Sequence, residues 1–190
     1  MIASRIRKLA VLGLLLVACV PAGAQRHRDP LTQPEIDEIR DASWDPQQRL
    51  ALYLTFARAR LVTLEQMRND PKTKDRPQQT HDLMDAFLLI YDELNDNIDT
   101  YVDRRDDIRK PLKVIIDADT EFQAKLRALK EAADVPPEEV KRYEFVLSNA
   151  LDTVDSSTDD HRKLLADQEE AAKHKRLNSA AKSSGRPEKN

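Results

Sequence analysis

The chain reads as all-α: an antiparallel helical bundle of three to four long helices, with a short N-terminal helix and a disordered C-terminal tail. Three observations predict this. Glycine is almost missing, with only Gly13, Gly23 and Gly185 in 190 residues. From Gln25 to Ser184 no residue offers the freely accessible positive φ that tight β-hairpins favour. Apolar residues recur at three- and four-residue spacing over long stretches, the period of a helix face. The rest is rich in Leu, Ala, Glu, Asp, Lys and Arg, with charged residues at 34%, a composition that suits helices with wide solvated faces.

The elements follow in order. Residues 25–30 read as a loose arm. Thr32 and Glu35 form a capping-box pair at the start of a short helix, with Leu31 and Ile36 at the staple positions. This helix should end near Ala42 and Ser43. Asp45-Pro46-Gln47-Gln48 opens the second helix with an acidic cap and proline in the first turn. Leu50, Leu54, Ala57, Leu61 and Leu64 are its stripe, and Asn69-Asp70-Pro71 breaks it after about Arg68.

A third helix is expected from about Arg76 to Arg104. Leu83, Phe87, Ile90, Leu94, Ile98 and Tyr101 fall within about 80° on one face. Asp85, Asp92, Asp96, Asp99 and Asp103 fall within about 60° on the other. Leu88 and Leu89 point toward the acidic side. Pro111 cannot donate to a helix ladder and disfavours α geometry at Lys110. A break between Arg104 and Pro111 is expected, one long kinked helix being the alternative. The stripe resumes with Leu112, Ile115, Ile116, Phe122, Leu126 and Leu129 and ends near Ala133.

Val135-Pro136-Pro137-Glu138-Glu139 is a turn and a new start, with carboxylates where the helix dipole favours them. Val140, Tyr143, Leu147, Leu151 and Val154 give the last stripe, which turns polar through Thr158, His161, Leu165 and Gln168. Continued to Arg176, this helix is about 60 Å long against about 39 Å for its predecessor, so its last third should overhang the body. Short connections at 69–75 and 134–136 imply antiparallel neighbours. The bundle domain is thus 31–176, and 177–190 reads as a disordered basic tail.

The first 24 residues read as a signal peptide. Arg5, Arg7 and Lys8 precede an apolar run from Leu9 to Val20, and Ala22 and Ala24 are the small residues that place cleavage between Ala24 and Gln25. A second reading is open: Leu16-Val17-Ala18-Cys19 resembles the lipobox of bacterial lipoproteins, and that resemblance implies lipidation of Cys19. The run is shorter than the roughly 20 residues that span a bilayer. Export to the periplasm or the exterior is the expectation, with a membrane-tethered lipoprotein as the alternative.

Composition narrows function. Beyond Cys19 there is no cysteine, so disulfides, thiolate metal sites and cysteine nucleophiles have no residues to form from. Without glycine, phosphate loops, dinucleotide fingerprints and nucleophile elbows cannot take their usual form. Charge is segregated. The whole chain is −3, and removing the three leader cations leaves −6. Residues 172–190 carry Lys173, Lys175, Arg176, Lys182, Arg186 and Lys189 against Glu188, a net +5, which puts −11 on 25–171.

The Asp85–Asp103 stripe could meet a basic partner or divalent cations, although a straight helix presents carboxylates in a row rather than a cage. It is more simply a solvated face. His81 lies one turn from Asp85, a His–carboxylate pairing. His161 sits on an apolar stripe and reads as a partly buried, satisfied histidine. Its position lacks the Glu-x-x-His pattern of di-iron bundles, since Thr158 stands where the Glu would. Ser43, Ser148, Ser156 and Ser157 have no nucleophile context. Trp44 is expected to anchor the corner beside the second helix. The tail could meet an anionic surface, and without aromatics it offers no base stacking for specific nucleic-acid binding. Phe145, Leu88 and Leu89 lie off their stripes. Helices packed on two sides would explain them, and a homodimer is the alternative.

The function expected is a non-enzymatic interaction protein of the envelope that uses no cofactor and binds another protein or an anionic surface. The alternative is a divalent-cation-binding protein using the acidic stripe.

Overall fold

A computed structural model describes residues 29–132 and 135–184. The leader with Cys19 and the Ala24–Gln25 cleavage site, the arm up to residue 28, and residues 185–190 lie outside the described residues. Those described form six helices and no strand: α1 (Gln33–Asp41), α2 (Pro46–Asn69), α3 (Arg76–Asp103), α4 (Arg109–Lys130), α5 (Pro137–Val140) and α6 (Glu144–Ser184).

The starts use the chemistry the sequence offers. Glu35 reaches back to accept from the Thr32 backbone N–H at 2.7 Å and from its hydroxyl at 3.0 Å. Asp45 accepts from the backbone N–H groups of Gln47 and Gln48 at 2.9 and 3.2 Å, satisfying two of the orphan donors of a helix start. The arm is tied where it meets the bundle: Arg60 donates to the Pro30 carbonyl at 2.7 Å. With no glycine available, Asp75 (φ 48°) and Arg105 (φ 62°) take the left-handed positions before and after α3.

α2 packs chiefly on α3, and α4 on α6; α2–α4 and α3–α6 contacts close the ring. Both close pairs are the ones the short connections imply. α3 and α4 follow each other in the chain and sit on the diagonal. They meet through large rings, with Phe122 edge-on to Phe87 at 5.3 Å and to Tyr91 at 6.1 Å. The core is continuous, and Leu50, Phe87, Ile90, Leu94, Leu112, Phe122, Leu126 and Val154 are fully buried. Among the described residues no helix is long and apolar enough to cross a membrane.

The break expected between Arg104 and Pro111 is present at Arg104–Ile108, and Pro111 falls in the first turn of α4, where a missing N–H costs nothing. Several expectations need correction. The last helix is not continuous from Pro137. Turn hydrogen bonds such as Tyr143 N–H to the Val140 carbonyl separate α5 from α6. The break accompanies two anchors: Glu139 pairs with Arg68 and Arg76 at 3.2 and 3.3 Å, and the Arg68 guanidinium lies over the buried Tyr143 ring at 5.6 Å. α6 continues past Arg176 to Ser184, so the stretch 177–184 of the expected disordered tail is helical backbone.

Leu88 is buried, as two-sided packing of α3 requires, whereas Phe145 is 86% exposed and that reading fails for it. Leu89 is half-buried. Trp44 is 94% exposed and anchors nothing.

Candidate functional site

The acidic stripe faces solvent along its whole length. Asp85, Asp92, Asp96, Asp99 and Asp103 are all exposed. Partial burial, and then the like charge of Asp96, raise the pKa of Asp92. His81 does not pair with Asp85: its Nδ1 lies 3.6 Å from Asp82, too far for a hydrogen bond. Among the described residues no three His, Cys, Asp or Glu side chains converge as a metal ion requires. The stripe's geometry is a row on one helix.

The polar chemistry lies inside the bundle. Asp119 of α4 is wholly buried, and two donors hold it. The Tyr91 hydroxyl, from α3, donates to its Oδ1 at 2.7 Å. His161 Nδ1, from α6, meets its Oδ2 at 2.9 Å. An ionised carboxylate only accepts, so Nδ1 carries the proton. Burial, and then the Asp119 charge, push the Tyr91 phenol far above its usual range, so it stays a donor. Around this triad Thr158 is buried, donating to the Val154 carbonyl at 2.6 Å and accepting from Gln123 Nε2 at 3.2 Å. His161 is therefore a buried, satisfied histidine at Nδ1, as its place on the stripe implies. Asp119 and Tyr91 escaped the sequence reading. The available signal was an acid inside α4's apolar series Ile115, Asp119, Phe122, Leu126, opposite a histidine inside α6's series.

One edge of the triad meets the surface. Ser157, one turn before His161, accepts from Asn95 Nδ2 at 3.0 Å. Both border a groove of about 380 Å³ between α3 and α6.

The other distinctive region is the end of the bundle where α3 turns into α4. Arg104, Arg105 and Lys110 are exposed there. Arg109 is bound to Asp107 at 2.8 and 2.5 Å, and its hydrogen bonds hold the Asp107 carboxyl at about 2. α6 is fastened at the same end. Gln168 accepts from Ile108 N–H at 3.1 Å and donates to the Asp106 carbonyl at 3.2 Å, and Glu169 pairs with Lys113 at 2.7 Å. Beyond it, Lys173, Lys175 and Arg176 are exposed. From Glu170 to Ser184 the helix extends about 22 Å.

Comparison with known protein families, with curated proteins and with solved structures finds no match to this chain.

Proposed function

We propose that the chain is an exported, non-enzymatic helical interaction protein that rests a basic pole on an anionic envelope surface. The observation that carries this reading is the gathering of cations at one end of an acidic body. Arg104, Arg105 and Lys110 border the α3–α4 turn, and Lys173, Lys175 and Arg176 project from the same end on α6. The leader pattern of residues 1–24 supports export. A Lys or Arg close to an anionic leaflet contributes about 1 kcal/mol. Arg104 is already paired with Asp106 at 3.4 Å; the other five give a few kcal/mol after repulsion of the acidic body, which is weak, reversible and salt-sensitive attachment.

Co-sedimentation of the chain from Gln25 onward with vesicles tests it. Binding to phosphatidylglycerol vesicles, none to phosphatidylcholine vesicles, and loss in the Lys173→Glu/Lys175→Glu/Arg176→Glu variant are expected. Equal binding to both vesicle types, or binding indifferent to the charge reversal, would remove the proposal.

A further inference from the structure

Resting on the attachment proposed above, we infer that the Trp44 indole enters the interfacial layer of an anionic phospholipid bilayer, so that the surface met by the basic pole is a membrane. Trp44 is the one tryptophan of the chain, and it is 94% exposed. A single exposed apolar side chain asks for no explanation by itself. Its place in the fold gives this one meaning.

The turn that carries the ring is fixed to the basic end of the bundle. Backbone hydrogen bonds bracket it, Ser43 N–H to the Arg40 carbonyl and Asp45 N–H to the Ala42 carbonyl, both at 3.2 Å. Ala42 itself is buried. Asp45 then caps α2, and Arg49, in the first turn of α2, donates to Asn97 near the end of α3 at 2.8 Å. Gln47 lines one cleft with Lys110 and Lys113 of α4. Trp44 therefore stands at the end where α3 turns into α4. Of the acids there, Asp45 is spent on its cap, Asp106 meets Arg104 and Asp107 holds Arg109. That leaves Asp41, Asp103 and Glu170 against five exposed cations, Arg105 and Lys110 at the turn and three on α6. Leu177, also exposed, accompanies the α6 cations.

An exposed indole among cations selects the class of surface. Its rings are apolar and its one N–H is a donor, so it settles at the level of lipid headgroups, between wet and dry. A soluble polyanion would satisfy the cations and leave the ring in water. An anionic bilayer offers negative charge and an apolar boundary together. One ring buries less than a myristoyl chain, which by itself gives only marginal attachment, so ring and cations act jointly and salt still releases the protein. α2 and α6 lie on a diagonal of the bundle, so a flat surface that touches both the Trp44 corner and the α6 overhang meets the bundle axis obliquely. Phe145 is the internal control. It is nearly as exposed but lies at the other end, two residues after the Tyr143 that packs under Arg68, where Lys141 and Arg142 are outnumbered by Glu138, Glu139 and Glu144.

Fluorescence and co-sedimentation of the chain from Gln25 onward with phosphatidylglycerol vesicles test the inference. Because Trp44 is the only tryptophan, emission reports on it alone. It should move to shorter wavelength as vesicles are added and be quenched by lipid brominated on its acyl chains. Trp44→Ser should weaken vesicle binding about tenfold, the loss of one buried ring, and Trp44→Phe should weaken it less. Phe145→Ser should leave binding unchanged. Both rings are exposed, so these variants keep the fold. Vesicle binding with the emission left at its value in water, and with Trp44→Ser binding as the parent does, would overturn the inference while attachment by charge still stood. An equal spectral shift with dextran sulfate would put a soluble polyanion over the ring, and a shift with protein concentration alone would put a second copy there; either overturns it. No binding to the vesicles would remove the attachment and the inference together.

Discussion

Replacing His161 by leucine removes one of the two donors that hold the Asp119 carboxylate. Asp119 has no exposed surface in the parent, and leucine offers its Oδ2 no donor. Breaking a buried pair from one side costs about 3–5 kcal/mol. Tyr91→Phe removes the other donor, a 2.7 Å bond to a charged group, for about 1.5–3 kcal/mol. Against a domain stability of roughly 5–15 kcal/mol, the leucine variant alone should lose a large part of the fold's margin. The triple variant Tyr91→Phe/Asp119→Leu/His161→Leu behaves differently, because no polar atom of the triad remains to be desolvated. Its stability should lie near or above that of the parent, by about 0–4 kcal/mol. Urea unfolding followed by far-UV circular dichroism reads all three, with an unchanged slope showing that only stability moved. A His161→Leu cost below about 1 kcal/mol, or a triple variant as unstable as the single costs combined, would refute the reasoning.

Three further predictions concern other parts of the fold. Burial tends to raise the pKa of Glu35, but hydrogen bonds from Arg60 and Thr32 outweigh it and hold the folded value down. The stability it adds to α1 is therefore present above the ordinary glutamate range and lost as pH falls through the lowered folded value. Hydrogen-exchange protection in α1, taken relative to the intrinsic rate at each pH, should fall on acidification in the parent, and Glu35→Gln should be already weakened by about 1–2 kcal/mol at neutral pH; protection in α1 that does not change with pH in the parent would contradict this. Arg105 sits at φ 62°, so Arg105→Gly should relieve left-handed strain and, net of the extra freedom of the unfolded chain, stabilise by about 0.5 kcal/mol. A lower urea midpoint for that variant would show that the Arg105 side chain matters more than its backbone. Phe145→Ser and Trp44→Ser should each change thermal stability by less than about 0.5 kcal/mol, and a drop beyond about 1 kcal/mol would mean that these exposed rings are packed in solution.

Helices and caps were legible because they rest on local rules. Asp45 before Pro46, the Thr32–Glu35 pair, and the six-residue α3 face from Leu83 to Tyr101 all declare themselves within a few positions of chain. The break between α5 and α6 was not legible, because it accompanies the contacts of Glu139 and Tyr143 with Arg68, a residue of α2 far back in the sequence. The candidate sites divide the same way. His161 was recognisable as a buried histidine from its stripe. Its partner Asp119 lies 42 positions away, and only the packing of α4 on α6 brings them together. The stripe of aspartates was conspicuous in sequence because one helix carries it, and for the same reason it forms no enclosed site.

Export and electrostatic attachment through the basic pole can be read together by expressing the full chain with its own leader and fractionating the cells at low and high salt. Intact mass would be measured on each fraction. A species beginning at Gln25 is expected, sedimenting with membranes at low ionic strength and released as salt shortens the Debye length to about 3 Å near 1 M. An uncleaved chain in the cytoplasm, or a species beginning at Cys19 that carries lipid and resists salt release, would contradict it.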